Sequence, residues 1–482
     1  VRAAGLVLAA LVTACGGASD LSGGLRAESP VPAPSVSGPV SGGVRTGEPF
    51  NTSMVPLREG YVEEEFFYSG TARDHVDGSE AEYTTRIVVR RPTDVAAFNG
   101  TVVMDWTNVT LQFDIESLWA AAWDVLMGRG FIYVAVSAQK QGVDGSPLSL
   151  AFWDPVRYAT VSHPGDEYSF DIFSQAALAA QDPQVLPEDL RAAVRHVVAT
   201  GPSQSAGRLS TYINEVQEQA RVFDGFMPQI AGSVVNTRKD LAPVLWINSQ
   251  AEAAGIAEPP ADEGLLRYWE IAGPPHTTNA GERYYLAVQE YGASGGTVNT
   301  YDPEVAGQYG ELDPHGSCSR SRYPVRYVWS AGIVALHDWL NSGVPPPSHP
   351  PIERDESGAL TFDAHGNTRG GFRLPVVDVP IAAYYAGELP PAAALAPCSP
   401  TAVAPLIGFS QVFSTEKLAA LYPSHEDYLA QLEVATAEAV AAGRLLPEHG
   451  EDLLRRARAA DITNPVPRLP PPLPVGSAPG GL

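Results

Sequence analysis

Val194-Arg195-His196-Val197-Val198-Ala199-Thr200 runs directly into Gly201-Pro202-Ser203-Gln204-Ser205-Ala206-Gly207-Arg208. The apolar, β-branched run closed by Gly-Pro reads as a buried strand, and the residues from Ser203 onward read as the start of a helix. A nucleophilic serine needs this kind of sharp strand-to-helix turn to lift its Oγ above a sheet, with small residues two positions away on either side so that the backbone turns without a clash. Two serines compete for the position. Ser203 is flanked by Gly201 and Ser205, whereas Ser205 is flanked by Ser203 and Gly207, the closer match to a small-x-Ser-x-Gly pattern. Ser203 fits the turn better, because the strand ends at Gly201 and leaves one residue before the serine. Standing alone, the same residues also describe a Ser/Gly-rich cap of an ordinary helix.

The surroundings argue for more than a cap. Apolar runs at 101–106, 131–137, 194–200, 222–227, 243–248 and 266–272 alternate with helical stretches near 115–128, near 168–181 and from 203, the alternation of βαβ units around a mainly parallel sheet. Segments 61–71 and 83–91 have mixed polarity and read as edge-forming antiparallel strands ahead of that sheet. A further helix is expected at 325–342, where Val325, Val328, Ile333, Leu336 and Leu340 recur at helical spacing before Gly343. Downstream of Ser203 come Glu252, four residues past one strand, and His276, four residues past the next. Nucleophile, acid and base in that order, the last two on loops after late strands, match a hydrolase triad on an open α/β sheet. The histidine would take the serine proton and the carboxylate would fix its tautomer. Asp224, Asp262 and Glu263 are rival acids, and His163 and His315 are rival histidines.

Across about 100–385 the chain resembles a bacterial alpha/beta hydrolase domain family regarded as secreted serine esterases. The resemblance rests on Asp105-Trp106-Thr107-Asn108-Val109, on Gly201-Pro202-Ser203-Gln204-Ser205 and on Glu270-Ile271-Ala272-Gly273-Pro274-Pro275-His276. Asp154-Pro155-Val156-Arg157-Tyr158, Ser162-His163-Pro164-Gly165-Asp166 and the Gly366–Asp378 region add to it. It implies an α/β-hydrolase fold with cap or lid insertions and an esterase-like activity, and it implies no substrate. On that fold the oxyanion donors would be the backbone N–H of Gln204 and one from the loop after Trp106, either Thr107 or Asn108. Trp106, Trp153 and Trp269 are read as core or lid packing, with a pocket wall as the alternative. The glycines from Gly366 to Gly371 read as a structural turn, because no Lys and no strand-to-helix pattern accompany them.

Composition bounds the remaining choices. The chain has 482 residues, 44% of them hydrophobic and 18% charged, which is globular composition. Lys and Arg number 31 against 55 Asp and Glu, for a net charge of −24 that repels phosphate backbones, so nucleic acid is not an expected partner. No CxxC, HExxH or His/Cys cluster is present, and neither a metal nor another cofactor is expected. Residues 3–14 form a short apolar run that ends before Cys15 and resembles a lipoprotein export signal, with Cys15 acylated and the protein held at the cell envelope. Residues 16–55 then read as a Ser/Gly/Pro tether, 56–465 as the hydrolase domain and 466–482 as a Pro/Gly-rich tail. Cys318 and Cys398 remain as an even pair that an exported protein could bridge, two free thiols being the alternative. The expectation is an exported, lipid-anchored serine hydrolase acting on a small-molecule carboxylic ester; the alternative is a cell-envelope binding or scaffold protein that keeps the fold without turnover.

Overall fold

A computed structural model describes residues 29–302, 318–387, 406, 408–460 and 462. Nine strands form the main sheet: β1 (Ser35–Ser37), β2 (Tyr61–Arg73), β3 (Glu80–Pro92), β4 (Thr101–Trp106), β5 (Ile132–Val136), β6 (His196–Pro202), β7 (Gly225–Gln229), β8 (Val244–Asn248) and β9 (Leu266–Glu270). Their order across the sheet is β1-β2-β3-β5-β4-β6-β7-β8-β9. From β5 through β9 every pair is parallel, while β1 to β3 and the β3–β5 junction are antiparallel. This is the α/β architecture that the alternating pattern predicts. A small antiparallel sheet is made of β10 (Cys318–Arg320), β11 (Ala382–Tyr385) and β12 (Phe409–Val412), with β12 in the middle.

Side chains alternate along each central strand and feed two cores. Val103, Tyr133 and Val198 point to one face, where they meet α1 (Ser117–Gly128) and the expected long helix, Val325–Ser342, through Leu118, Trp119, Ile333 and Leu336. Val102, Met104, Val134, Val197 and Ala199 point to the other, against α2 (Ser169–Ala179) and α3 (Gln204–Thr211). Between these and the long helix in sequence lies α4 (Asn279–Ala293), so Val325–Ser342 is α5. The chain leaves β4 for β5 on one side and returns to β6 on the other. The carboxyl ends of β4 and β6 therefore flank a switch point, the place where an open α/β sheet leaves a crevice.

Three expectations need correction. The strand at 83–91 is not an edge: β3 lies between β2 and β5, and its Arg86 and Arg90 are buried. Arg86 pairs with Glu65 and Arg90 with Glu116 and Glu63, with the Arg90 guanidinium 4.4 Å from the Trp119 ring centre, so the segment's mixed polarity comes from buried ion pairs. The segment at 16–55 is not wholly a tether, because Ser35–Ser37 pairs with β2 and Phe50, Met54 and Val55 are buried in the core. The strand expected at 222–227 lies at Gly225–Gln229, since Asp224 instead accepts the Val197 N–H at 2.7 Å. Cys15, Cys398, His315 and the tail at 466–482 lie outside the described residues, and of Cys318 only the backbone is described. No helix among the described residues is long and apolar enough to cross a membrane.

Candidate active site

The turn after β6 carries Ser203 at φ 58° and ψ −120°, a conformation that costs an ordinary residue on the order of 1–3 kcal/mol. Its N–H donates to the Gln229 carbonyl at 2.8 Å, which fastens the turn to the neighbouring strand. The tight bend brings Gly201 against the helix that follows: a Cβ there would stand 2.9 Å from the Ser205 Cβ and 3.3 Å from the Trp106 carbonyl oxygen. Ser203 is partly open, whereas Ser205 is fully buried in the first turn of α3, its hydroxyl donating to the Thr107 carbonyl at 3.3 Å.

Ser203, Glu252 and His276 come together above the carboxyl ends of β6, β8 and β9. His276 Nε2 lies 2.9 Å from Ser203 Oγ, and His276 Nδ1 lies 2.6 Å from Glu252 Oε1. The second carboxylate oxygen of Glu252 accepts from the Ser249 hydroxyl, and that Ser249 oxygen in turn accepts the Ala251 N–H at 3.1 Å. Two hydrogen bonds, one to each oxygen, thus hold the carboxylate in one orientation against the imidazole. The rivals sit elsewhere. Asp224 is at the opposite end of β6, Asp262 accepts the Tyr268 N–H at 2.7 Å, and exposed Glu263 pairs with Lys239 at 2.8 Å. His163 is buried, with Nε2 2.9 Å from the Ala138 carbonyl.

One important residue carried no motif to announce it. Gln250, fully buried, donates to the Ala386 carbonyl at 3.0 Å, accepts the Gly273 N–H at 2.8 Å on its side-chain oxygen, and gives its own N–H to the Pro274 carbonyl at 3.1 Å. It therefore ties the loop of Glu252 to the loop of His276. Glu270, which opens the histidine segment, is a structural anchor paired with Arg354 at 2.9 Å.

The oxyanion expectation changes in part. Gln204 is the first residue of α3, where a backbone N–H has no helical acceptor behind it. The Asn108 N–H, however, donates to the Ile115 carbonyl at 2.9 Å, and that of Thr107 reaches the Val136 carbonyl at 3.4 Å. Both expected second donors are committed because the loop after β4 folds back on itself. The three tryptophans are core: Trp106 packs on Phe173 and donates to Gln139 at 3.0 Å, Trp153 donates to the Gly292 carbonyl at 3.1 Å, and Trp269 to the Pro347 carbonyl at 3.1 Å.

A cleft partly open to solvent begins at His276 and runs between α1, α4 and the start of α5, with Trp123, Tyr285 and Trp329 in its walls. Among the described residues no group of three His, Cys, Asp or Glu side chains is placed to hold a metal ion.

No curated protein matches the chain. Among solved structures it is similar to brefeldin A esterase, a bacterial homologue of human hormone sensitive lipase, with 14% identity over 51% of this chain and 80% of that one and a TM-score of 0.28. It is also similar to one of two fungal esterases from Rhizomucor miehei, with 12% identity, 50% and 84% coverage and a TM-score of 0.28. A family model described as "Alpha/beta hydrolase domain" matches residues 36–455, and the chain belongs to that alpha/beta hydrolase family.

Proposed function

We propose that the protein is a serine hydrolase that cleaves carboxylic esters through Ser203, His276 and Glu252. The observation that carries the reading is the position of the His276 ring, one nitrogen on Ser203 Oγ and the other on the Glu252 carboxylate. In this reading Ser203 Oγ attacks the ester carbonyl carbon while His276 Nε2 takes its proton. The tetrahedral oxyanion is met by the Gln204 N–H. His276 then returns the proton to the departing alkoxide, releasing the alcohol and leaving Ser203 acylated. A water, deprotonated by His276, attacks the acyl-enzyme; its collapse releases the carboxylic acid and restores the serine. Glu252 keeps the Nδ1 proton in place and stabilises the imidazolium formed in each half of the cycle.

The same proposal includes export and anchoring through an acylated Cys15, supported by the apolar run before it. Hydrolysis of p-nitrophenyl acetate and butyrate tests the chemistry. Turnover that disappears in His276→Ala protein of unchanged thermal stability is expected; equal turnover in the variant would overturn the assignment.

A further inference from the structure

The cleft beside His276 contains polar groups that nothing among the described residues satisfies. Thr278 is 3% exposed, Tyr323 1% and Trp329 5%, and all three line the cleft. The Thr278 Oγ1, the Tyr323 hydroxyl and the Trp329 Nε1 are each buried without a hydrogen-bond partner. Buried donors are ordinarily paired, because desolvating one without compensation is unfavourable. Thr278 makes the case sharply: it is the N-cap of α4, where a threonine hydroxyl usually accepts from the helix, yet it makes no capping bond. By contrast Ser117, in the same cleft, has its hydroxyl 3.0 Å from that of Tyr285. These three unmet groups come from two chain segments, two residues after His276 and around the start of α5.

The charged residues of the cleft point to an uncharged ligand. Arg326 is paired with Asp124, Arg456 lies 3.0 Å from Asp452, and Arg322 is also engaged. Among the described residues, each arginine that lines the cleft is thus already engaged. An indole N–H can only donate, and burial holds the Tyr323 hydroxyl well above its ordinary titration range, so it too stays protonated. The complementary group is a neutral hydrogen-bond acceptor.

Position in the reaction decides which half of the ester is read. His276 lines the cleft, whereas Ser203 and Glu252 do not. The leaving oxygen must approach His276 Nε2 to receive its proton, so the group attached to that oxygen lies on the histidine side. We propose that this cleft receives the alcohol portion of the ester, and that Thr278, Tyr323 and Trp329 select an uncharged alcohol bearing acceptor oxygens, whether ether, carbonyl or hydroxyl, over a plain alkyl chain. The inference rests on the ester-hydrolase reading above.

The test uses n-butyl acetate and 2-methoxyethyl acetate, which share an acyl group and a chain length and differ by one ether oxygen. The two kcat/KM values are divided by the corresponding hydroxide-catalysed rates to remove leaving-group reactivity. The corrected ratio is expected to favour the methoxyethyl ester by at least about fivefold, the scale of one neutral hydrogen bond. Tyr323→Phe and Trp329→Phe should each lower that ratio and together bring it close to one. Because it is a ratio on a single preparation, loss of folded protein cancels. A wild-type ratio of one or below, or a ratio that neither variant moves, overturns this inference while leaving ester hydrolysis intact. Absence of turnover with every ester tried overturns both.

Discussion

Replacing Gly201 and Gly207 separately by Ala distinguishes the two serines through backbone geometry alone. If Ser203 is the nucleophile, the glycine two residues before it is the one the turn cannot give up. The structure supplies the magnitude. A Cβ at 201 meets the Ser205 Cβ at 2.9 Å, the Trp106 carbonyl at 3.3 Å and Leu209 Cδ1 at 3.4 Å, and the first two neighbours are held by α3 and β4. Relief requires β6 and α3 to move apart by a few tenths of an ångström at the point where Ser203 is carried. Such overpacking costs about 1–3 kcal/mol of stability. A displacement of the nucleophile approaching 1 Å costs about 10²-fold in rate. Gly207 differs in kind: it sits inside α3, and nothing lies within 4 Å of its added Cβ. Alanine there should raise stability by about 0.4–1 kcal/mol through helix propensity and reduced unfolded-state freedom. Urea titration and kcat/KM on p-nitrophenyl butyrate read both effects. Gly201→Ala is expected to be less stable and at least tenfold slower, and Gly207→Ala equally or more stable with most of its activity. A large loss of activity in Gly207→Ala together with wild-type behaviour in Gly201→Ala would refute the reasoning and transfer the role to Ser205.

Three further outcomes are expected. Glu252→Gln should lower kcat by about 10²–10⁴ with little change in KM, since the ring remains near but the charge stabilising its protonated form is gone; a wild-type pH–rate profile in this variant would remove Glu252 from the mechanism. Burial pushes the Asp105 carboxyl up to about 7, so the folded protein holds a proton there that the unfolded chain has released above its ordinary value of 3.8. Stability from this group is therefore full at low pH and is lost as pH rises from about 4 to about 7, by on the order of 4 kcal/mol; Asp105→Asn should flatten that part of a stability-against-pH curve, and an unchanged slope would count against it. Cys15→Ser protein should move from the membrane fraction to the soluble fraction of its expression host, and retention at the membrane would contradict lipid anchoring.

What could be read from the sequence was what is local. The elbow is a seven-residue event, and Gly201 beside Ser203 announces both the end of β6 and the start of α3. Glu252 and His276 were reachable because each follows its strand at a fixed short distance. What escaped depends on partners distant in sequence. Arg86 and Arg90 look like edge charges until Glu65 and Glu116 are folded against them. Phe50 and Met54 lie in a Gly/Pro-rich stretch whose composition hides two core anchors. The loop after β4 is set by a backbone bridge between Asn108 and Ile115, and main-chain donors leave no mark on side-chain identity. Gln250 had no signal except its place next to the acid loop, because its role is to join two loops that only the fold brings together.

The central claim is that Ser203 is a nucleophile activated by His276. A fluorophosphonate probe forms a covalent phosphonyl ester with an activated serine, and peptide mass spectrometry of the labelled protein locates the adduct. The account predicts a single adduct on Ser203, abolished in Ser203→Ala and strongly reduced in His276→Ala, with Ser205→Ala still labelled. An adduct on Ser205, or none on protein shown to be folded, would contradict it.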